Sequence, residues 1–164
     1  MAFTIRAAQT PEDILATKAL FRAYHQWLDI DLTFQDFETE LASLPGKYAS
    51  EKGGRILLAF PQGSEEPVGC IALRDITLLF NEWTGSQGTP HKKIGEVKRL
   101  YTLPSARGSG IGEDGYDELR LDTLPRMQGA IKLYSKVGFV TTDKYYDTDL
   151  EGTIFMKYTA ALNK

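Results

Sequence analysis

The chain has 164 residues, 42% of them apolar and 25% charged, with a formal net charge of −3. Those values describe an ordinary soluble globular chain, read as one domain over 1–164 with enough residues for a sizeable core. The acidic balance counts against a nucleic-acid partner, and no stretch is long and apolar enough to span a membrane.

Phe3 to Ala8 reads as a first strand. Thr10 then supplies an N-cap hydroxyl, Pro11 occupies the first helical position, and Glu12 and Asp13 place acids in the first turn. Ile14, Phe21, Tyr24 and Leu28 recur at helical spacing, which predicts a helix to about Leu28. A second helix is predicted from Thr33, with Phe34, Phe37, Leu41 and Leu44 on one face and Pro45-Gly46 as its stop. The aromatic residues of these helices, Tyr24, Trp27, Phe34 and Phe37, read as core, with an acceptor-pocket lining as the alternative.

Arg55 to Phe60 and Pro67 to Asp75 are apolar runs joined by Pro61-Gln62-Gly63-Ser64, the pattern of a hairpin. The single cysteine, Cys70, lies inside the second run and reads as a small buried hydrophobe. One cysteine permits no intrachain disulfide, and with no basic-then-apolar secretory pattern at the N-terminus the expected location is cytoplasmic. Asn81 to Lys93, rich in Gly, Ser, Thr and Pro, is predicted as an elongated loop between strands. The two histidines, His25 and His91, are far apart and lack Cys or His at ligand spacing, so no metal is expected.

Glu96 to Leu103 is the next predicted strand, and it runs into Arg107-Gly108-Ser109-Gly110-Ile111-Gly112. Closely spaced glycines after a strand let backbone N–H groups approach a phosphate. Such a loop normally opens a helix whose N-terminal amides complete the anion site. Here Glu113-Asp114-Gly115 follows, and another strand-like run spans Asp117 to Leu124. Arg126 to Val137 is predicted as a helix with Met127, Ala130, Ile131, Tyr134 and Val137 on one face and Gly138 as its stop. Phe139 to Thr142 and Gly152 to Tyr158 close the chain as strands. Tyr145 and Tyr146, in the polar stretch between them, read as acceptor contacts rather than packing. The order is β-α-α-β-β-β-loop-β-α-β-β.

From Gly95 onward the chain resembles the GNAT superfamily of acyl-CoA-dependent N-acyltransferases. The resemblance is carried by Glu96-Val97-Lys98-Arg99-Leu100-Tyr101-Thr102-Leu103-Pro104, by Arg107 to Gly112, by Leu119-Arg120-Leu121-Asp122-Thr123, and by Ala130-Ile131-Lys132-Leu133-Tyr134-Ser135-Lys136-Val137-Gly138-Phe139. It implies an α/β (α+β) fold: a central mixed, mostly antiparallel sheet of six to seven strands, a splayed parallel pair, helices on both faces, and one crossover helix truncated. It also implies acetyl-CoA as co-substrate and a primary amine of a small molecule or peptide as acceptor. Leu100, Tyr101 and Thr102 fall on the cofactor strand, where backbone groups of Leu100 and Thr102 would pair with pantetheine amides. The amides of Arg107, Gly108, Ser109, Gly110, Ile111 and Gly112 would hold the pyrophosphate. Tyr134 matches the residue that protonates the departing thiolate, with a core tyrosine as the alternative. Many members carry Asn where this chain has Met127.

An acceptor amine with a pKa of roughly 10.4 is mostly protonated at neutral pH and must lose a proton before it attacks a thioester. Glu96 is the first candidate for that general base and Asp122 the second; either could instead pair on the surface with Lys98 or Arg120. No Ser-His-Asp or Cys-His set exists, so a covalent acyl-enzyme is not expected. A Rossmann reading of the glycine loop fails because its helix and downstream acid are missing. The 13 residues between Leu103 and Asp117 leave too little chain for a phosphate loop and a full crossover helix together. The uncovered strand face would favour association, as in a homodimer. A catalytically impaired GNAT-like binding or regulatory module is the alternative function.

Overall fold

The computed structural model describes residues 2–30, 36–86, 92–102 and 116–159. They fall into two compact units, one drawn from Met1–Arg74 and Lys98–Ser109 and the other from Asp75–Val97 and Gly110–Lys164.

In the first unit, strand β1 (Phe3–Ala7) pairs antiparallel with β2 (Arg55–Pro61), from Phe3 opposite Pro61 to Ala7 opposite Leu57. Strand β2 pairs antiparallel with β3 (Gly69–Asp75), which confirms the predicted hairpin. Ile56, Leu58 and Phe60 alternate into the core, the period-2 pattern of a strand with one covered face. Helix α1 (Pro11–Leu28) begins as expected from Thr10, and its start is a full capping box. Thr10 Oγ1 accepts from the Asp13 N–H at 3.2 Å, and the Asp13 carboxylate accepts from the Thr10 and Gln9 N–H groups at 3.1 and 2.9 Å. Arg6 clamps the same carboxylate with two hydrogen bonds of 2.7 and 2.8 Å, which hold Asp13 well below the usual carboxylate range.

Helix α2 spans Phe37–Ser43 and buries Phe37, Glu40 and Leu41. Its predicted start at Thr33, and Phe34 with it, lie outside the described residues. Two single-turn 3₁₀ segments follow, Gly46–Tyr48 and Ser50–Lys52. The chain then passes so close to Tyr48 that a Cβ on Gly54 would come within 2.6 Å of the Tyr48 backbone, so only glycine fits there.

In the second unit, helix α3 spans Thr77–Thr84, where the sequence predicts a loop from Asn81 onward. The reason for the difference is physical: Phe80 and Trp83 pack toward Tyr145, but Leu78 and Leu79 beside them are exposed, so the apolar stripe of α3 is blurred in the sequence. Its start is fixed locally, by Asp75 Oδ1 accepting from the Thr77 N–H at 2.8 Å, and its end by Gly85 at φ +65°. Strand β5 (Glu118–Thr123) pairs antiparallel with β7 (Ile154–Thr159), which pairs antiparallel with β6 (Val140–Thr142). Helix α4 (Gln128–Lys136) is shorter than predicted, and Tyr134 is its one buried residue.

Strand β4 (Ile94–Thr102) carries Glu96 and Leu100 to Thr102, four of the residues singled out in the sequence. Its first residues run parallel to β5, with Ile94 opposite Glu118, Gly95 opposite Leu119 and Glu96 opposite Arg120. A Cβ on Gly95 would meet Leu119 Cδ2 at 2.8 Å and the Tyr116 ring at 3.0 Å, so a larger residue here would have to push both side chains aside. The strand order is β1-β2-β3-β4-β5-β7-β6, a seven-stranded mixed sheet with β4 and β5 as its parallel pair. That is the sheet the resemblance implies.

Candidate active site

Glu96 lies on β4 with its side chain fully buried, at 0% exposure. A bare carboxylate in such surroundings is costly unless hydrogen-bonded, and Tyr145 Oη donates to Glu96 Oε1 at 2.8 Å. Tyr145 is itself buried, with ring centroids of Phe80, Trp83, Tyr146 and Phe155 within 6.2 Å and the Arg120 guanidinium carbon 5.6 Å from its own ring centroid. Burial first, then the charges of Glu96 and Asp122, push the Tyr145 phenol far above its ordinary range, so it remains a neutral donor.

Two expectations are corrected here. Glu96 is not a surface residue; among the pairs at this end of the strand, Arg120 and Lys92 bond Glu118 instead. Tyr145 and Tyr146 pack rather than face solvent: they join Ile76, Ile94, Phe80 and Phe155 in one apolar cluster. Their sequence surroundings, Asp143-Lys144-Tyr145-Tyr146-Asp147, are polar without period, and what draws Tyr145 inward is a carboxylate 49 positions away.

Tyr134 is 7% exposed on α4, with its ring 5.7 Å from Phe139. Asp122, the second base candidate, lies on β5 opposite Phe155. Met127 precedes α4, and its sulfur accepts from Thr123 Oγ1 at 3.7 Å, a weak bond where a polar amide is common in the resembled family.

In the first unit, β4 continues through Arg99, which has φ +56°, a left-handed conformation inside a strand. Its guanidinium grips Glu40 from α2 with two hydrogen bonds, Nε to Oε1 at 3.0 Å and Nη2 to Oε2 at 3.1 Å. Lys47 Nζ and Tyr48 Oη also donate to Glu40, at 2.8 and 3.1 Å. Burial alone would raise the Glu40 carboxyl; the Arg99 and Lys47 contacts outweigh it and hold the group at about 2. Tyr101 packs against Tyr24 and Trp27, with centroids 5.9 and 6.2 Å apart. Phe37 is core as expected, whereas Trp27 is half exposed. Cys70 donates its thiol to the Arg99 carbonyl at 3.4 Å, and burial pushes that thiol up to about 12, so it is no nucleophile.

The glycine-loop residues Arg107, Gly108, Ser109, Gly110, Ile111 and Gly112 lie outside the described residues. Among the described residues no cluster of three or more His, Cys, Asp or Glu could hold a metal, and no helix is long and apolar enough to cross a membrane.

No family model matches the chain. It is 31% identical to an uncharacterised N-acetyltransferase of Schizosaccharomyces pombe, over 94% of this chain and 93% of that protein. It is 30% identical to an uncharacterised N-acetyltransferase of Dictyostelium discoideum, over 87% of this chain and 92% of that one. An acetyltransferase of the GNAT family from Staphylococcus aureus shares its fold at a TM-score of 0.68 and 17% identity, covering 96% of this chain and 99% of that one. The chain belongs to the family of these N-acetyltransferases and has the fold of GNAT acetyltransferases. A second GNAT-fold neighbour, the N-acetyltransferase PseH of Campylobacter jejuni, was solved with acetyl coenzyme A and matches at a TM-score of 0.54 and 14% identity, over 98% and 100% of the two chains. The Dictyostelium alignment runs over 200 positions, more than the 164 residues of this GNAT chain, so that relative carries internal segments with no counterpart here.

Proposed function

We propose that this GNAT enzyme transfers the acetyl group of acetyl-CoA to a primary amine of a small molecule or peptide by direct attack. The observation that carries the reading is Glu96: a fully buried carboxylate on β4, held by a phenol that stays protonated, four residues before the start of the segment Leu100–Thr102. A carboxylate so fixed can take the proton of the acceptor ammonium, directly or through a water. The freed amine nitrogen then bonds to the thioester carbonyl carbon, the C–S bond breaks, and the thiolate takes a proton from Tyr134 Oη, while the excess proton left on the acylated nitrogen passes through solvent to restore the Tyr134 phenol. Backbone groups of Leu100 and Thr102 pair with the pantetheine amides as an added strand would. The N-acetyltransferase relatives favour this enzyme over a non-catalytic module.

Free-thiol release from acetyl-CoA across a panel of amines tests the reading. Release should depend on the amine, and Tyr134→Phe should lower it by about 10²-fold, within the usual range for general acids. Thiol release at the same rate with and without every amine would defeat the proposal.

The short link after β4 sets the expected affinity. Loss of a helix N-terminus from an anion site costs about 0.3–2 kcal/mol. If the 13 residues from Pro104 to Tyr116 leave too little chain for a full helix, ordering the glycine loop would cost more, roughly 1–2 kcal/mol per residue. Acetyl-CoA is therefore expected to bind more weakly than low micromolar while still raising the thermal midpoint at millimolar concentration. A low-micromolar dissociation constant by calorimetry would overturn this expectation.

A further inference from the structure

We propose that Glu40 is a positioning residue for acyl-CoA binding: its carboxylate holds Arg99 in a left-handed backbone conformation and thereby sets the course of β4 through Leu100 to Thr102. This rests on the reading of Leu100–Thr102 as the segment that pairs with pantetheine.

Arginine gains nothing intrinsic from φ +56°, and such a conformation inside a strand persists only where the surroundings impose it. Here Arg99 is held from two directions. Its side chain is fixed by a planar fork, Nε and Nη2 each bonded to a different Glu40 oxygen at 3.0 and 3.1 Å, with the Phe37 ring 5.5 Å from the guanidinium carbon. Its carbonyl accepts the Cys70 thiol at 3.4 Å. Arg99 and Glu40 are each 7% exposed, so water competes little for the pair.

Glu40 is anchored independently of Arg99. It sits on α2, and the turn that follows brings Lys47 and Tyr48 back to its two oxygens at 2.8 and 3.1 Å. The carboxylate is thus a fixed post to which the strand is tied, one residue before the cofactor segment begins. A left-handed residue in a strand redirects the peptides after it, as a bulge does. A strand that recognises a ligand through its own N–H and C=O groups depends on that direction. Loosening Arg99 should therefore cost affinity for acetyl-CoA and leave proton transfer alone.

The test is calorimetry with acetyl-CoA together with steady-state kinetics on the full chain. Glu40→Gln is expected to raise the dissociation constant and KM for acetyl-CoA by about 10-fold, with kcat and the amine KM within about 2-fold of wild type, the signature of lost uniform binding. Arg99→Lys keeps both charges but not the fork; it should shift the same constants in the same direction, and it decides the matter if the Gln variant does not fold. Lys47→Met removes one anchor of Glu40 but leaves the Arg99 fork, so it should raise the acetyl-CoA constants in the same direction by less than Glu40→Gln does. An unchanged acetyl-CoA constant in the folded variants overturns the inference, as does a fall confined to kcat. If wild type binds no acetyl-CoA at any concentration, the reading of Leu100–Thr102 falls first and the inference with it.

Discussion

Glu96→Gln is expected to lower kcat by about 10²- to 10⁴-fold at neutral pH, the usual worth of a general base. The substitution is chosen because it separates chemistry from packing. Glutamine keeps the volume and a carbonyl oxygen that can still accept from Tyr145 Oη, the bond that ties Glu96 to the apolar cluster at 2.8 Å. What it cannot do is take a proton. The acetyl-CoA dissociation constant should therefore stay at the wild-type value while turnover falls. The deficit should also shrink as pH rises toward the acceptor's own pKa, roughly 10.4 for an alkyl amine, because the amine then arrives deprotonated. Steady-state rates of both proteins from neutral to alkaline pH check this. If Glu96 only anchors Tyr145, the amide would serve as well, and turnover within about threefold of wild type at neutral pH would refute its role as base.

The parts of this fold that were legible in the sequence are those whose signals are local. Thr10, Pro11 and Asp13 announce the start of α1 within four positions, and Ile56, Leu58 and Phe60 declare a strand by alternation. The glycine loop Arg107–Gly112 together with the downstream run Ala130–Phe139 carried the resemblance to GNAT acyltransferases. Helix α3 escaped because Phe80 and Trp83, which pack toward Tyr145, sit among exposed Leu78 and Leu79, so the apolar run looked aperiodic. The candidate site was legible in its first half only. Glu96 was singled out as a base candidate by its place on the central strand, but neither its burial nor its bond to Tyr145 was legible, since Tyr145 stands in a run of charges that looks solvent-facing. The Glu40–Arg99 pair joins positions 59 apart, and nothing near either residue distinguishes it from the charged residues of any amphipathic surface. Buried polar pairs of this kind are set by tertiary packing, which a single sequence does not display.

That pair also sets the second large effect. Glu40→Ala is expected to destabilise the protein by about 3–5 kcal/mol, the cost of leaving a buried charge without its partner. For a chain of this size that is a fall in thermal midpoint of roughly 6–20 °C. The penalty comes less from the bonds lost than from Arg99, which would be left 7% exposed beside an apolar ring with its carboxylate gone. The acid side of the stability curve gives an independent check. The Glu40 carboxyl is held at about 2, below an ordinary value of 4.5, so its stabilisation is complete above pH 4.5 and is lost as pH falls toward 2. Across that window wild type should lose roughly 3 kcal/mol from this group. Asp13, which Arg6 and the capping box also hold below the usual range, adds acid sensitivity of the same sign, and the substitution leaves that part in place. The difference between wild type and Glu40→Ala, measured by urea unfolding at intervals from pH 7 to pH 2, therefore isolates the Glu40 contribution. It should be largest near neutrality and narrow steadily below pH 4.5. A constant difference across the range would mean that Glu40 is not charged against Arg99 in the folded protein, and the tie that orients β4 would have to be sought elsewhere.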